Sequence, residues 1–357
     1  MFSLKPDYEK SKERYMAFWE SALIDRPPVC LPLAVDKPTP VPEKTYKTYR
    51  KMWLDIDFRA EAASIAAENT TYYGDALPVV WPNMGPEIFS AWCGCGYEFG
   101  ETTTWSEPCI FDWERDAPKA VFSEEHPLYK STVDFTKKLI ERGKGKFITG
   151  LTDFHAGGDH LAALRDPQEL AIDMIDNVHH VKKKLKESQD ECFRVYDFFY
   201  DILKSAGLPI TSWTPLISNK KNYIIQNDFS CMISTEMFDD VFLPGIVDEC
   251  KFYDHTIYHL DGPGALKHLD SLLQIKELNA IQWVSGAGED KSFLKWASIY
   301  KKIQAAGKGI QLVLNDVNEL PQVFETLSPQ GIWISRIGGV NDQYTADEVL
   351  KRVSVWK

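Results

Sequence analysis

The chain has 357 residues, 44% of them hydrophobic, and a formal net charge of -12 at pH 7. That much apolar content can fill a large core, and the length allows either one large barrel or two smaller domains. The acidic balance argues against nucleic acid as a partner, because phosphate binding needs a basic surface. No apolar run reaches the roughly 18 residues of a membrane-spanning helix, and the first residues lack the basic and apolar regions of a secretory signal. A soluble, cytoplasmic protein without a membrane partner is therefore expected. The seven cysteines are an odd number and thinly spread, which reads as reduced thiols rather than a disulfide framework.

Residues 8–23 show helical periodicity, with Tyr15, Phe18, Trp19 and Leu23 on one side, and the prolines at 27 and 28 forbid continuation. Residues 1–25 are thus read as an amino-terminal helical extension. Short apolar runs then alternate with amphipathic stretches, the pattern of repeated βα units. Strands are expected over 28–33, 76–81, 146–151, 210–216 or 223–227, 256–260, 280–284, 309–314 and 331–335. Helices are expected over 126–142, 167–206, 234–250, 292–306, 320–327 and 346–355. This order fits a single (β/α)8 TIM barrel spanning 1–357 better than an open doubly wound sheet. The stretch 82–116, after the second strand, is too long for a βα turn; its Trp92, Tyr97, Phe99, Trp105 and Trp113 argue for an ordered insertion.

In a barrel the active site gathers at the carboxyl ends of the strands. Those ends supply Trp81-Pro82-Asn83, Asp153 with His155, Asp159 with His160, Gln226-Asn227-Asp228, His259-Leu260-Asp261, Asn315-Asp316 and Arg336. Asp75, ahead of strand two, and Asp228, ahead of a helix start, are functional acids or local caps. His259 and Asp261 are two apart on a strand, so both side chains take one face and offer a nitrogen and an oxygen to a metal; a third ligand must come from another strand or loop. Asp261-Gly262-Pro263-Gly264 is equally a turn sequence. Cys93-Gly94-Cys95 reads as a small-residue loop rather than a metal site, and Gly286-Ala287-Gly288 is too short for a phosphate loop.

With these segments in order, residues 24–340 resemble the uroporphyrinogen decarboxylase superfamily and the corrinoid-linked methyltransferases that share its barrel. The resemblance rests on Asp25-Arg26-Pro27-Pro28-Val29, Tyr73-Gly74-Asp75-Ala76-Leu77, and the segments 150–164 and 227–244. It implies the decarboxylase's catalytic aspartate at Asp75. The decarboxylase's arginine-containing stretch after the first strand is missing here, where Leu31-Pro32-Leu33-Ala34-Val35 stands, so a substrate rich in carboxylates would lack guanidinium partners. The methyltransferase branch is the closer resemblance. Its zinc-binding H-x-C is matched at His259, with Asp261 in place of the first cysteine and Gly338 or Gly339 in place of the second. The resemblance implies a methyltransferase acting with a corrinoid protein on a small methylated compound or thiol acceptor. In that reading His259 and Asp261 bind zinc or another divalent metal, and Asp75 and Asp228 orient substrate or exchange a proton. Trp81, Trp92 and Trp105 wall the substrate, which Asn83, His155 and Asn227 contact. The alternatives are a decarboxylase of a tetrapyrrole or smaller carboxylate, and a non-catalytic ligand-binding barrel.

Overall fold

The computed structural model describes residues 2–356. In chain order the strands are β1 (Cys30–Ala34), β2 (Thr70–Gly74), β3 (Val79–Val80), β4 (Gly96–Phe99), β5 (Thr104–Glu107), β6 (Ile148–Thr149), β7 (Asn222–Gln226), β8 (His255–Asp261), β9 (Ala280–Val284), β10 (Gly309–Leu314) and β11 (Ile332–Ile337). The last five form one parallel sheet in the order β11-β10-β9-β8-β7, and β3 pairs in parallel with β6. Single links extend this sheet. Val29 bridges Ile334 in parallel, Leu151 N–H donates to Thr211 O at 2.7 Å, and Asn222 Nδ2 donates to Ile210 O at 2.7 Å.

The described residues thus show a mixed α/β fold with a five-stranded parallel sheet, a short parallel pair and isolated bridges, and the expected eight-strand ring is not closed by a continuous ladder. Proline is the physical reason. Pro78 and Pro82 bracket β3, and Pro209 and Pro215 flank the Ile210 segment; each lacks the N–H a ladder needs. Of the two expected positions for strand four, β7 is the ladder strand, and Ile210 joins no ladder beyond an isolated antiparallel bridge to Ser218. Strand one departs further from expectation, because β1 pairs antiparallel with β2, a strand the sequence did not announce.

The opening helix runs Tyr8–Trp19 and stops before the prolines: Ser21 turns left-handed at φ 49°, and Ala22 N–H returns to Ala17 O at 2.8 Å. Its Tyr15, Phe18 and Trp19 are buried with Ile148, Ile224, Ile257, Ala280 and Trp333. A Cβ on Gly309, the first residue of β10, would lie 3.2 Å from Phe18. The helix thus plugs the amino ends of the strands and leaves the carboxyl ends open.

The long helical patterns are broken where chain chemistry breaks them. The 167–206 stretch is two helices, Pro167–Asp176 and Val178–Ser205, and 234–250 divides into Thr235–Val241 and Leu243–Phe252, with Pro244 in the first turn of the second. The unassigned region before β2 contains Ile56–Glu68, capped by Asp55, whose carboxylate accepts from Phe58 N–H. The insertion is ordered, as its aromatics suggested: a short helix, Ile88–Trp92, precedes the β4–β5 hairpin.

Candidate active site

Strand register builds the site in rows. Ile224, Ile257, Ala280 and Gly309 are paired neighbours across β7, β8, β9 and β10. Two residues further along, on the same face, Gln226, His259, Gln282 and Gln311 are paired neighbours in turn. Asp261 lies two beyond His259, and Asp228 two beyond Gln226, just past the end of β7. An apolar floor thus gives way to an amide and imidazole layer, and then to carboxylates at the open end.

One ligand atom from each of Asp228, His259 and Asp261 lies within 4.8 Å of the others. The pair read from β8 therefore meets its third donor, from the turn after β7. His259 Nδ1 is hydrogen-bonded to Gln282 Oε1. Because an amide oxygen only accepts, this bond assigns the proton to Nδ1 and leaves the Nε2 lone pair free. Asp261 Oδ1 is buried without a hydrogen-bond partner, a costly state for a carboxylate unless a cation or water meets it. Ser234, not Asp228, caps the helix Thr235–Val241, accepting from Met237 N–H at 3.2 Å. Asp228 is exposed as a residue, but its carboxyl lies in the cleft among acids. Its surroundings raise its pKa to about 7, through burial first and then the charges of Asp159 and Asp261.

A further set of titratable groups backs this cluster. His155 is buried with Nε2 2.7 Å from Asp153 Oδ1; burial alone would lower its pKa, but the Asp153 charge and hydrogen bond, with Glu249 and Asp159, raise it. Asp159 is held by Gln226 Nε2 at 3.1 Å and Phe229 N–H at 2.8 Å. Glu249, on the helix Leu243–Phe252, is buried, and burial pushes its pKa to about 8 from 4.5. Between those values the folded chain holds a proton on Glu249 that the unfolded chain has released. Its contribution to stability is therefore complete below pH 4.5 and lost as pH rises through about 8. Glu249→Gln is expected to flatten this decline, read as a smaller difference in urea midpoint between about pH 5 and about pH 8.5 than in the parent chain. An equal pH slope in both proteins would refute it.

The remaining expected site residues scatter. Asp75 is fully buried at the other end of the strands, where Arg14 Nη1 approaches its Oδ1 at 2.9 Å, Arg26 pairs with Oδ2, and Val29 N–H donates to Oδ2 at 3.0 Å. Arg14 belongs to the helix that plugs the amino ends, so Asp75 anchors that plug and cannot act at the mouth. Trp92 is 0% exposed among Phe89, Tyr129, Phe154 and Phe199, a core residue rather than a substrate wall. Trp105 is 53% exposed on the β4–β5 hairpin and walls no enclosed site. Asn83 Oδ1 is used locally, accepting from Gly85 N–H, and Trp81 is half-buried directly after β3. Asn227 is buried next to the acidic cluster with neither side-chain polar atom bonded. In the run Lys182-Lys183-Lys184, Lys184 is buried and donates to the carbonyl of Ala120.

Sequence reasoning passed over Gln282 and Glu249. Gln282 lies inside an apolar strand pattern and declares itself only through register with His259, while a helical glutamate reads as solvated until a neighbouring helix covers it. Among the described residues no helix is long and apolar enough to cross a membrane.

Comparison of the sequence with protein-family profiles and with curated proteins finds no match. The fold, however, is similar to that of a methyltransferase from Methanosarcina mazei, with a TM-score of 0.59 and 13% sequence identity over 99% of this chain and 98% of that one.

Proposed function

We propose that this chain is a methyltransferase that works with a corrinoid-carrying partner protein on a small methylated compound or thiol acceptor. The observation that carries the reading is the convergence of Asp228, His259 and Asp261 within 4.8 Å at the carboxyl ends of the strands. The likeness in fold to a methyltransferase, spanning nearly the whole chain, supports it and favours a single (β/α)8 barrel.

The donor set fits a divalent metal: one imidazole nitrogen, two carboxylate oxygens, and a buried carboxylate oxygen otherwise unpartnered. With no thiolate among them these donors are harder than a cysteine-rich zinc set, and suit zinc or a harder divalent ion. A bound ion there would polarise the substrate's sulfur or oxygen. Gln282 holds the His259 ring and its tautomer, and Asp159 holds Gln226 and the turn that carries Asp228. With its pKa near 7, Asp228 is suited to accept or return a proton at the mouth when it is not ligating. The decarboxylase alternative lacks support here, since Asp75 lies at the closed end, paired with Arg14 and Arg26 and away from the mouth.

The test is metal analysis of the purified protein, followed by incubation with methylcobalamin and a thiol. Stoichiometric divalent metal and loss of the methylcobalamin absorbance are expected. A protein that takes up no divalent metal and leaves methylcobalamin unchanged overturns the reading.

A further inference from the structure

Beside the carboxylate cluster lies a second feature. A pocket of about 500 Å³ opens between the ends of β8, β9, β10 and β11, and Asp261 lines it. That volume suits a small organic molecule. Trp283 and Trp296 form one wall, their rings 5.0 Å apart at 60°, with Tyr300 beyond. Lys291 and Arg336 also line the pocket, and neither has a carboxylate within 4.0 Å among the described residues. Both are exposed to solvent and so are free to meet the charge of a ligand.

The backbone supplies a second, independent observation. Between β10 and β11 the register shifts at Leu312/Val313, so that Ile334 faces Leu312 but Arg336 faces Val313, and Ser335 is the extra residue. Such a bulge reverses the facing of the side chains that follow it. Without it, Ser335 would stand opposite Val313 and Arg336 would take the other face. The irregularity therefore brings the guanidinium to the pocket that Val313 also lines. The pocket is therefore lined by two cations, a wall of flat aromatic rings, and Asp261 of the metal-competent cluster.

We infer that this pocket binds a small flat organic acid, its carboxylate held by Arg336 and Lys291, its body against Trp283 and Trp296, and its reacting end toward Asp261. Guanidinium and ammonium groups make charge-assisted hydrogen bonds to carboxylates, and an aromatic wall gives a flat body area to bury. Naming this acid as the methyl donor or acceptor rests on the methyltransferase reading. The binding itself does not.

The experiment uses the full chain stripped of metal with a chelator and without cobalamin, and titrates benzoate and its neutral isostere benzamide by tryptophan fluorescence or calorimetry. Benzoate is expected to bind about 10- to 100-fold more tightly than benzamide, the range a charged hydrogen-bond pair contributes. In the Arg336→Gln, Lys291→Gln double variant that preference is expected to vanish while benzamide affinity stays within about twofold. Equal binding of the two probes by the unaltered chain overturns the inference without recourse to any variant, and so does a preference for benzoate that survives in a folded double variant. A benzoate preference in a protein that takes up no metal and transfers no methyl group upholds the subsite and overturns the functional reading. Methyl transfer without that preference does the reverse.

Discussion

Replacing His259 by alanine is expected to abolish stoichiometric divalent metal binding and, with it, methyl transfer. His259 supplies the only nitrogen in a set otherwise made of the Asp228 and Asp261 carboxylates. Without it the two acids repel each other in a mouth that already raises the pKa of Asp228 to about 7, and protons compete with the metal for the oxygens. Gln282→Leu gives a graded comparison. It removes the acceptor that holds His259 Nδ1 and leaves all three donors in place, so affinity should fall by about 10- to 100-fold, the usual consequence of losing a ligand's orienting partner. His259→Ala should exceed the upper end of that range. Metal content after gel filtration and competition with a chromophoric chelator measure both. A His259→Ala protein that retains stoichiometric metal would refute the assignment, and a Gln282→Leu protein as weak as His259→Ala would show that fold, not ligation, was lost.

Asp75→Ala is expected to destabilise the fold by about 3–5 kcal/mol while leaving metal affinity unchanged, because it breaks a buried ion pair by removing one partner. Arg26 is 7% exposed and would keep only its bond to the Pro27 carbonyl, while Val29 N–H would lose its acceptor. Arg14 is less affected, since Asp25 still holds it through two hydrogen bonds at 2.6 and 2.8 Å. The Asp75→Leu, Arg26→Met double variant should recover much of the loss, as replacing both members of a buried pair by apolar groups is often close to neutral. Urea unfolding with metal titration on the same samples decides the matter. A stable Asp75→Ala protein without methyl transfer would instead return Asp75 to the catalytic site.

The errors at the site share a cause. Asp75 stands in a segment that resembles a catalytic one, and its residue type is equally suited to chemistry and to pairing with arginine; only the position of Arg14, 61 residues earlier, decides between them. Trp92 and Trp105 lie 13 residues apart in one insertion, and nothing local indicates that the first is buried by five aromatic neighbours while the second faces water. The bond pairing Arg26 with Asp75 likewise spans 49 residues. By contrast, His259 and Asp261 were legible because strand alternation is a local rule.

The alternation of strands and helices, the opening helix, the ordered insertion, and the shared face of His259 and Asp261 are legible along the chain. Each follows from interactions between residues near in the chain: periodicity, proline chemistry, and the two-residue repeat of a strand. Tertiary structure alone decided that Asp228 joins that pair, that Gln282 orients the histidine, that Asp75 anchors the closed end, and that a bulge in β11 delivers Arg336 to a pocket. These depend on register between strands and on which surfaces become buried, and both are settled by packing across the whole core rather than by any local run of residues.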